Sequence, residues 1–260
     1  MDEFRYASRN KITSKTTHGN QLIMKLPPQF LFDIKYKIRF FMTSSPEYFP
    51  IWRKIRSKSY PHTVNKQTDI TIEGFPRSGN TFAVAAFEFS QNKELTIAHH
   101  THSAAQVIES VKLNIPTLLL VRFPKDAIIS LVIRENISIT TAIKSYVNYY
   151  ENLYKYRDKV YLVSFEKLTT DFGEIITAVN KKFGTCFVPF MHHAENLKKV
   201  FSIVDEMELK FSGSLDETQV ARPSKHRKLL KKTIEKLYIT QAGAWEQRAE
   251  DIYNLLVKEN

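Results

Sequence analysis

The run Asp69-Ile70-Thr71-Ile72-Glu73-Gly74-Phe75-Pro76-Arg77-Ser78-Gly79-Asn80-Thr81-Phe82 constrains this chain more than any other stretch. It opens with alternating β-branched residues, the pattern of a strand. It then tightens through Gly74, Pro76, Ser78 and Gly79, and passes into Ala83-Val84-Ala85-Ala86-Phe87-Glu88-Phe89, which suits a helix. A strand, a small-residue turn and a helix start aim free backbone N–H groups and the positive helix end at an anion. Arg77 adds a full charge inside the turn, and Ser78 and Thr81 add hydroxyl donors. A phosphate group is the natural occupant. The turn is not a Walker A loop, because Asn80 follows Gly79 where that pattern needs lysine. The competing reading is an ordinary strand–helix link that binds nothing.

A chain of 260 residues with 43% hydrophobic residues can bury one full core and carry an appendage. We divide it into a basic, aromatic-rich extension over 1–65 and a main domain over 66–260. The formal charge of +11 suits an anionic ligand, an acidic polymer or a membrane face, and does not choose among them. The single cysteine, Cys186, excludes an internal disulfide and a cysteine-rich metal site. No run approaches the ~20 apolar residues that span a bilayer. The start Met1-Asp2-Glu3-Phe4-Arg5 lacks the apolar core of a secretion signal, so a cytoplasmic location is expected. Residues 30–41 mix large apolar groups with cations, and no single apolar face emerges. Packing on the main domain is therefore expected ahead of peripheral contact with a membrane surface.

Further along, Leu95–Ala98 reads as a short strand running into His99-His100-Thr101-His102-Ser103, with Ser103 capping a helix over 104–113. Pro116–Val121 is a continuous apolar run, as in a central parallel strand covered on both faces. Helices are expected over 124–134 and 139–157, with Tyr146 and Tyr150 in the core rather than on a stacking platform. Another strand follows over 160–165 and a helix over 171–184. The C-terminal third reads as helical and basic. Strands separated by helices imply a three-layer α/β/α fold with a central parallel sheet. Ligands of such sheets bind beyond the strand C-terminal ends. The turn at 75–81, the histidines at 99–102 and Arg122 all fall on that edge.

Directly after the apolar run comes Arg122-Phe123-Pro124-Lys125-Asp126, with Ser130 about two helical turns beyond Arg122. A P-loop phosphotransferase more often ends such a strand in aspartate, to help hold magnesium. Here the terminal group is a cation, so the site suits anions without a metal. The bland alternative pairs Arg122 with Asp126 or another carboxylate.

At these residues the chain resembles the sulfotransferases that use 3′-phosphoadenosine 5′-phosphosulfate (PAPS), with their P-loop-like fold. Pro76-Arg77-Ser78-Gly79-Asn80-Thr81 matches that family's 5′-phosphosulfate loop. Arg122, Pro124-Lys125-Asp126 and Ser130 match its 3′-phosphate motif. Phe165-Glu166-Lys167-Leu168 with Asp171-Phe172 looks like a variant of a later strand motif, Phe165 standing at the motif tyrosine. The resemblance covers about 69–184 and hardly touches 1–65.

The resemblance implies PAPS as donor, adenosine 3′,5′-bisphosphate as product, and no required metal. It places Pro76 to Phe82 around the 5′-phosphate, with Ser78, Asn80 and Thr81 as donors, and Arg122 and Ser130 on the 3′-phosphate. Arg77 would stabilise the charge that develops on the leaving phosphate. A hydroxyl acceptor needs a base, and His100-Thr101-His102 stands where many members carry Lys-Thr-His. His102 is the first candidate, His100 the second and His99 the third. The cytosolic members' glycine-bearing C-terminal loop is missing. Arg222, Lys225 and Arg227 would replace it on the donor, or else form a solvated face or attract an acidic acceptor. The acceptor expected is a carbohydrate, a glycolipid or a small hydroxylated molecule, with no nucleic acid as partner. Two other readings stand beside this one: a P-loop nucleotide kinase or NTPase, and a non-catalytic basic binder of anionic polymer or lipid.

Overall fold

The computed structural model describes residues 29–57, 61–212 and 225–257, with backbone alone at 211–212 and 225–228. Four parallel strands form one sheet: β1 (Ile70–Gly74), β2 (Ile97–His99), β3 (Thr117–Val121) and β4 (Tyr161–Ser164). Their order is β2-β1-β3-β4, with Ile72 opposite both His99 and Leu118, and Leu119 opposite Leu162. The apolar run expected to be a doubly covered strand is β3, whose five residues are all buried. Leu119 and Val121 enter one core while Leu118 and Leu120 enter the other. Each such side chain removed from water stabilises the fold by roughly 1.5–3 kcal/mol.

Helices α1 (Gln29–Ser44) and α2 (Phe49–Arg56) precede the sheet. Helix α3 (Asn80–Ser90) follows β1, and α4 (Ala104–Lys112) follows β2. Then come α5 (Pro124–Glu135), α6 (Ile139–Tyr154), α7 (Phe165–Thr170), α8 (Phe172–Phe183), α9 (Ala194–Ser212), α10 (Lys225–Gln241) and α11 (Ala244–Val257). Helices α3, α8 and α9 cover one face of the sheet. Helices α4, α5, α6 and α11 cover the other, making the three layers. Tyr146, Tyr149 and Tyr150 are fully buried in this second layer.

The path from β1 through α3 to β2 moves outward on one face. The path from β2 through α4 to β3 returns across β1 on the other. The strand order therefore reverses between β1 and β3, the point of such a sheet beyond which ligands bind. Strand β2 begins two residues later than expected, so His99 belongs to the sheet and only His100 and His102 lie beyond it.

The inner side of α1 carries Tyr36 into the main core, with Phe32 and Phe40 packed beside it. Asp33 caps the start of α6 by accepting the Ser138 N–H at 2.8 Å. Phe49 and Trp52 of α2 pack on Ala105 of α4. No helix among the described residues is long and apolar enough to cross a membrane.

Candidate functional site

Strand β1 leaves the sheet at Gly74, whose missing side chain lets β3 approach: a Cβ there would lie 2.5 Å from the Leu120 carbonyl oxygen. The chain then turns sharply. Arg77 and Gly79 both take left-handed backbone conformations, with φ of 72° and 94°. Gly79 is also walled in, since a Cβ would meet Leu168 at 2.6 Å. Gly79 precedes the first turn of α3, and no side chain caps it. The first N–H groups of a helix have no partner within the helix, so this turn presents free donors. Asn80 does not cover them. Its amide bonds the Phe75 carbonyl at 3.1 Å, and its Oδ1 is buried without a partner. Ser78 is buried, its hydroxyl 3.5 Å from that of Tyr150, and Pro76 is buried too. Phe82 points the other way, against Phe172 and Phe201.

Beyond the neighbouring strand β3, α5 opens with Pro124 in its first turn, and again no side chain caps the helix. Arg122 reaches from the end of β3 to donate to the Arg77 carbonyl at 2.9 Å. Its guanidinium lies 4.2 Å from the centre of the Phe165 ring. Arg77 in turn donates from Nε to the Ser130 hydroxyl at 3.0 Å. The two halves of the predicted anion site are thus joined as Arg122–Arg77–Ser130. Tyr146 and Tyr150 brace this frame by donating their hydroxyls to the carbonyls of Arg122 and Leu120, at 2.7 and 2.8 Å. The expected Arg122–Asp126 alternative is not the pairing seen: Asp126 faces Lys231, and Lys125 pairs with Glu235 at 2.6 Å, both on α10.

The histidines stand beside this frame. His100 and His102 both have left-handed backbones, with φ of 57° and 51°. His99 is stacked on His62 with ring centres 4.1 Å apart, and its Nδ1 meets Nδ1 of His100. The other nitrogen of His100 lies 3.1 Å from the Thr81 hydroxyl. His102 differs. Its Nδ1 lies 3.0 Å from the Gly74 carbonyl, which can only accept. The proton of the neutral ring must therefore sit on Nδ1, leaving the Nε2 lone pair without a partner among the described residues.

What holds the histidine loop is Glu73, a carboxylate that belongs to none of the sequence motifs. It lies fully buried on β1. One of its oxygens accepts from the Thr101 N–H and hydroxyl and from the Gln106 amide, at 2.7, 2.8 and 2.9 Å. The other accepts from the His102 N–H at 3.1 Å. All five residues of β1 are buried, and a carboxylate in such a strand demands such partners.

Burial pushes the Glu73 carboxyl up to about 7, against the opposing pull of the bonds from Thr101 and His102. Burial, with the neighbouring His100 and with Arg39 and Arg134, pushes His102 down to about 3. Burial, His62 and Arg134 push His100 down to about 4, and burial with the adjacent histidines pushes His99 to about 2. All three rings are neutral at pH 7. Burial also lowers Arg122 from its usual value.

Arg134 is a second residue without a sequence signal. It lies one turn beyond Ser130 on α5, paired at 3.4 Å with the buried Glu208 of α9. No cluster of three or more metal-ligating side chains occurs among the described residues. Arg222 lies outside the described residues, and Lys225 and Arg227 are placed by backbone alone, on the first turn of α10.

No protein-family model matches the sequence, and no curated protein matches it either. Among solved structures, the chain is similar to that of a mouse sulfotransferase, SULT7A1, complexed with PAP. The identity is 12%, the alignment covers 78% of this chain and 91% of that one, and the TM-score is 0.43.

Proposed function

We propose that this chain is a sulfotransferase that moves a sulfuryl group from PAPS to a hydroxyl of a carbohydrate, glycolipid or other small acceptor. The observation that carries this reading is the linked frame of Arg122, Arg77 and Ser130 at the sheet's switch point, between two uncapped helix starts and next to a histidine with a free Nε2.

The frame fits a donor with phosphates at both ends of a nucleoside. The free N–H groups at the start of α3 suit the 5′-phosphate, and Arg122 with Ser130 suits the 3′-phosphate. When bound, PAPS supplies a sulfuryl group whose bond to the 5′-phosphate breaks as the acceptor oxygen bonds to sulfur. Arg77, on the tight turn, stabilises the charge that grows on the departing phosphate oxygen. His102 Nε2 takes the acceptor proton, and Nδ1–H remains anchored on the Gly74 carbonyl. A ring held near 3 is a weak base, but an anionic donor beside it favours the protonated ring and raises that value. Donor binding would thus bring His102 towards the range in which a base works at neutral pH. Glu73 is a positioning residue in this scheme, since it accepts the backbone N–H groups of both Thr101 and His102.

Calorimetric titration with adenosine 3′,5′-bisphosphate, with and without magnesium and beside ATP, tests the proposal. Metal-independent binding of the bisphosphate, with ATP much weaker, is the result expected. Preference for magnesium-ATP would replace this reading with a nucleotide kinase or NTPase, and binding of neither would overturn the donor site.

A further inference from the structure

The outer face of α1 is apolar. Phe30, Leu31, Ile34, Ile38 and Phe41 fall within an arc of about 100° on the helix. They are all exposed, Phe30 by 57%, Ile38 by 60% and Phe41 by 58%. The stripe continues round the corner into α2. The Phe41 and Tyr48 rings touch with centres 5.1 Å apart, and Ile51 and Ile55 follow one turn apart, Ile55 being 73% exposed. Isolated exposed apolar residues need no explanation, but a contiguous stripe along two helices marks an interaction surface.

The stripe cannot turn inward, because the opposite side of α1 is already fastened. Tyr36 sits in the core, Asp33 holds the start of α6, and the Thr43 carbonyl accepts the hydroxyl of Ser103. These contacts also join α1 rigidly to the residue that follows His102.

We propose that the α1–α2 corner docks on an anionic membrane surface, with α1 lying in the plane of the interface. Charge selects this occupant. Lys35 and Lys37 flank the stripe on α1, and Lys54 and Arg56 stand exposed on α2. The carboxylates of residues 29–57 are Asp33 and Glu47, both engaged, by the Ser138 N–H and the Ser45 hydroxyl respectively. An apolar stripe bordered by cations is the arrangement that binds lipid with acidic headgroups. A second copy fits less well, because a self-complementary contact along the stripe would bring the lysines of one copy towards those of the other. A groove of about 680 Å³ opens beside the stripe between α1 and α6, with Lys37, Phe41 and Lys144 on its walls, its one carboxylate, Glu151, being paired with Arg248, and it offers a headgroup a recess. This docking is independent of the sulfuryl-transfer reading.

Co-sedimentation of the full chain with vesicles of phosphatidylcholine, with and without phosphatidylserine, is the test. The parent protein should sediment with the serine-containing vesicles and much less with the neutral ones. Joint Ile34→Glu and Ile38→Glu substitution, at exposed positions, should weaken that binding by about tenfold or more. Lys35→Glu with Lys37→Glu should also weaken it and flatten its dependence on salt. This second pair still reads the surface if the first fails to fold, which circular dichroism reveals. The proposal is overturned if the parent binds no vesicle, or if well-folded variants bind as tightly as the parent. Sedimentation equilibrium run alongside covers the remaining occupant: a dimer that the Ile34 and Ile38 substitutions dissociate, without vesicle binding, would assign the face to a second copy.

Discussion

The four helices that follow the strands begin in two different ways. Helices α4 and α7, after the outer strands β2 and β4, are capped by Ser103 and Ser164, whose hydroxyls accept from Gln106 and Lys167. Helices α3 and α5, after the central strands β1 and β3, have no side-chain cap. The uncapped pair flanks the point where the strand order reverses, and an arginine stands at each turn. The same local problem, unpaired N–H groups at a helix start, is solved internally at the edges and left for a ligand at the centre. The difference teaches that the site is a property of the sheet's centre rather than of helix ends in general.

His102→Ala should lower turnover by on the order of 10³ while bisphosphate affinity in calorimetry stays near that of the parent. Normal turnover would move the base elsewhere, first to His100. Arg77→Ala should cost about 10² to 10³ in turnover, and normal activity in that variant would sink the assignment of the β1 turn. Arg122→Ala should act on the donor instead, weakening bisphosphate binding by about tenfold or more. Unchanged affinity would dismiss it from the 3′-phosphate.

The pH dependence of stability sharpens the picture of the histidine loop. His99, His100 and His102 are held below their usual value of 6.5, so the folded state binds fewer protons than the unfolded chain. Their contribution is present above pH 6.5 and is lost as pH falls through the range below it. Glu73, raised to about 7 from 4.5, acts oppositely: its contribution is fully present below 4.5 and is lost as pH rises through 7. Three groups outweigh one, so thermal midpoints should fall between pH 6.5 and 5. Glu73→Gln removes the opposing group and should steepen that fall, with bisphosphate affinity retained. A midpoint that stays flat would mean that the rings are not held neutral by burial.

Much of this architecture was legible because it rests on local pattern. The apolar run before Arg122 read as a doubly covered strand, and Ser103 marked a helix start through chemistry that needs no tertiary context. Glu73 was not legible in that way, since alternation along a strand says which face a residue takes and not what awaits it there. The same limit hid the outer stripe of α1. That helix is apolar on two opposite faces, one in the core and one exposed, with Lys35 and Lys37 between them. No single face therefore emerges from the sequence, and which side packs inward is decided by α4 and α6, far along the chain.

The smallest expected effect is the sharpest check on the capped and uncapped pairs. Ser164 sits at the end of β4, next to Phe165 and therefore beside the ring on which Arg122 lies. If helix starts along this edge were interchangeable, removing its hydroxyl would expose new N–H donors next to the anion frame and alter nucleotide binding. If the site belongs to the central strands alone, Ser164→Ala should cost about 1 kcal/mol of stability, as the loss of a helix cap does. Bisphosphate affinity should be unchanged, because the Lys167 N–H it frees lies on the exposed side of α7. A melt shows the first effect and calorimetry the second, and a changed affinity would extend the site to β4.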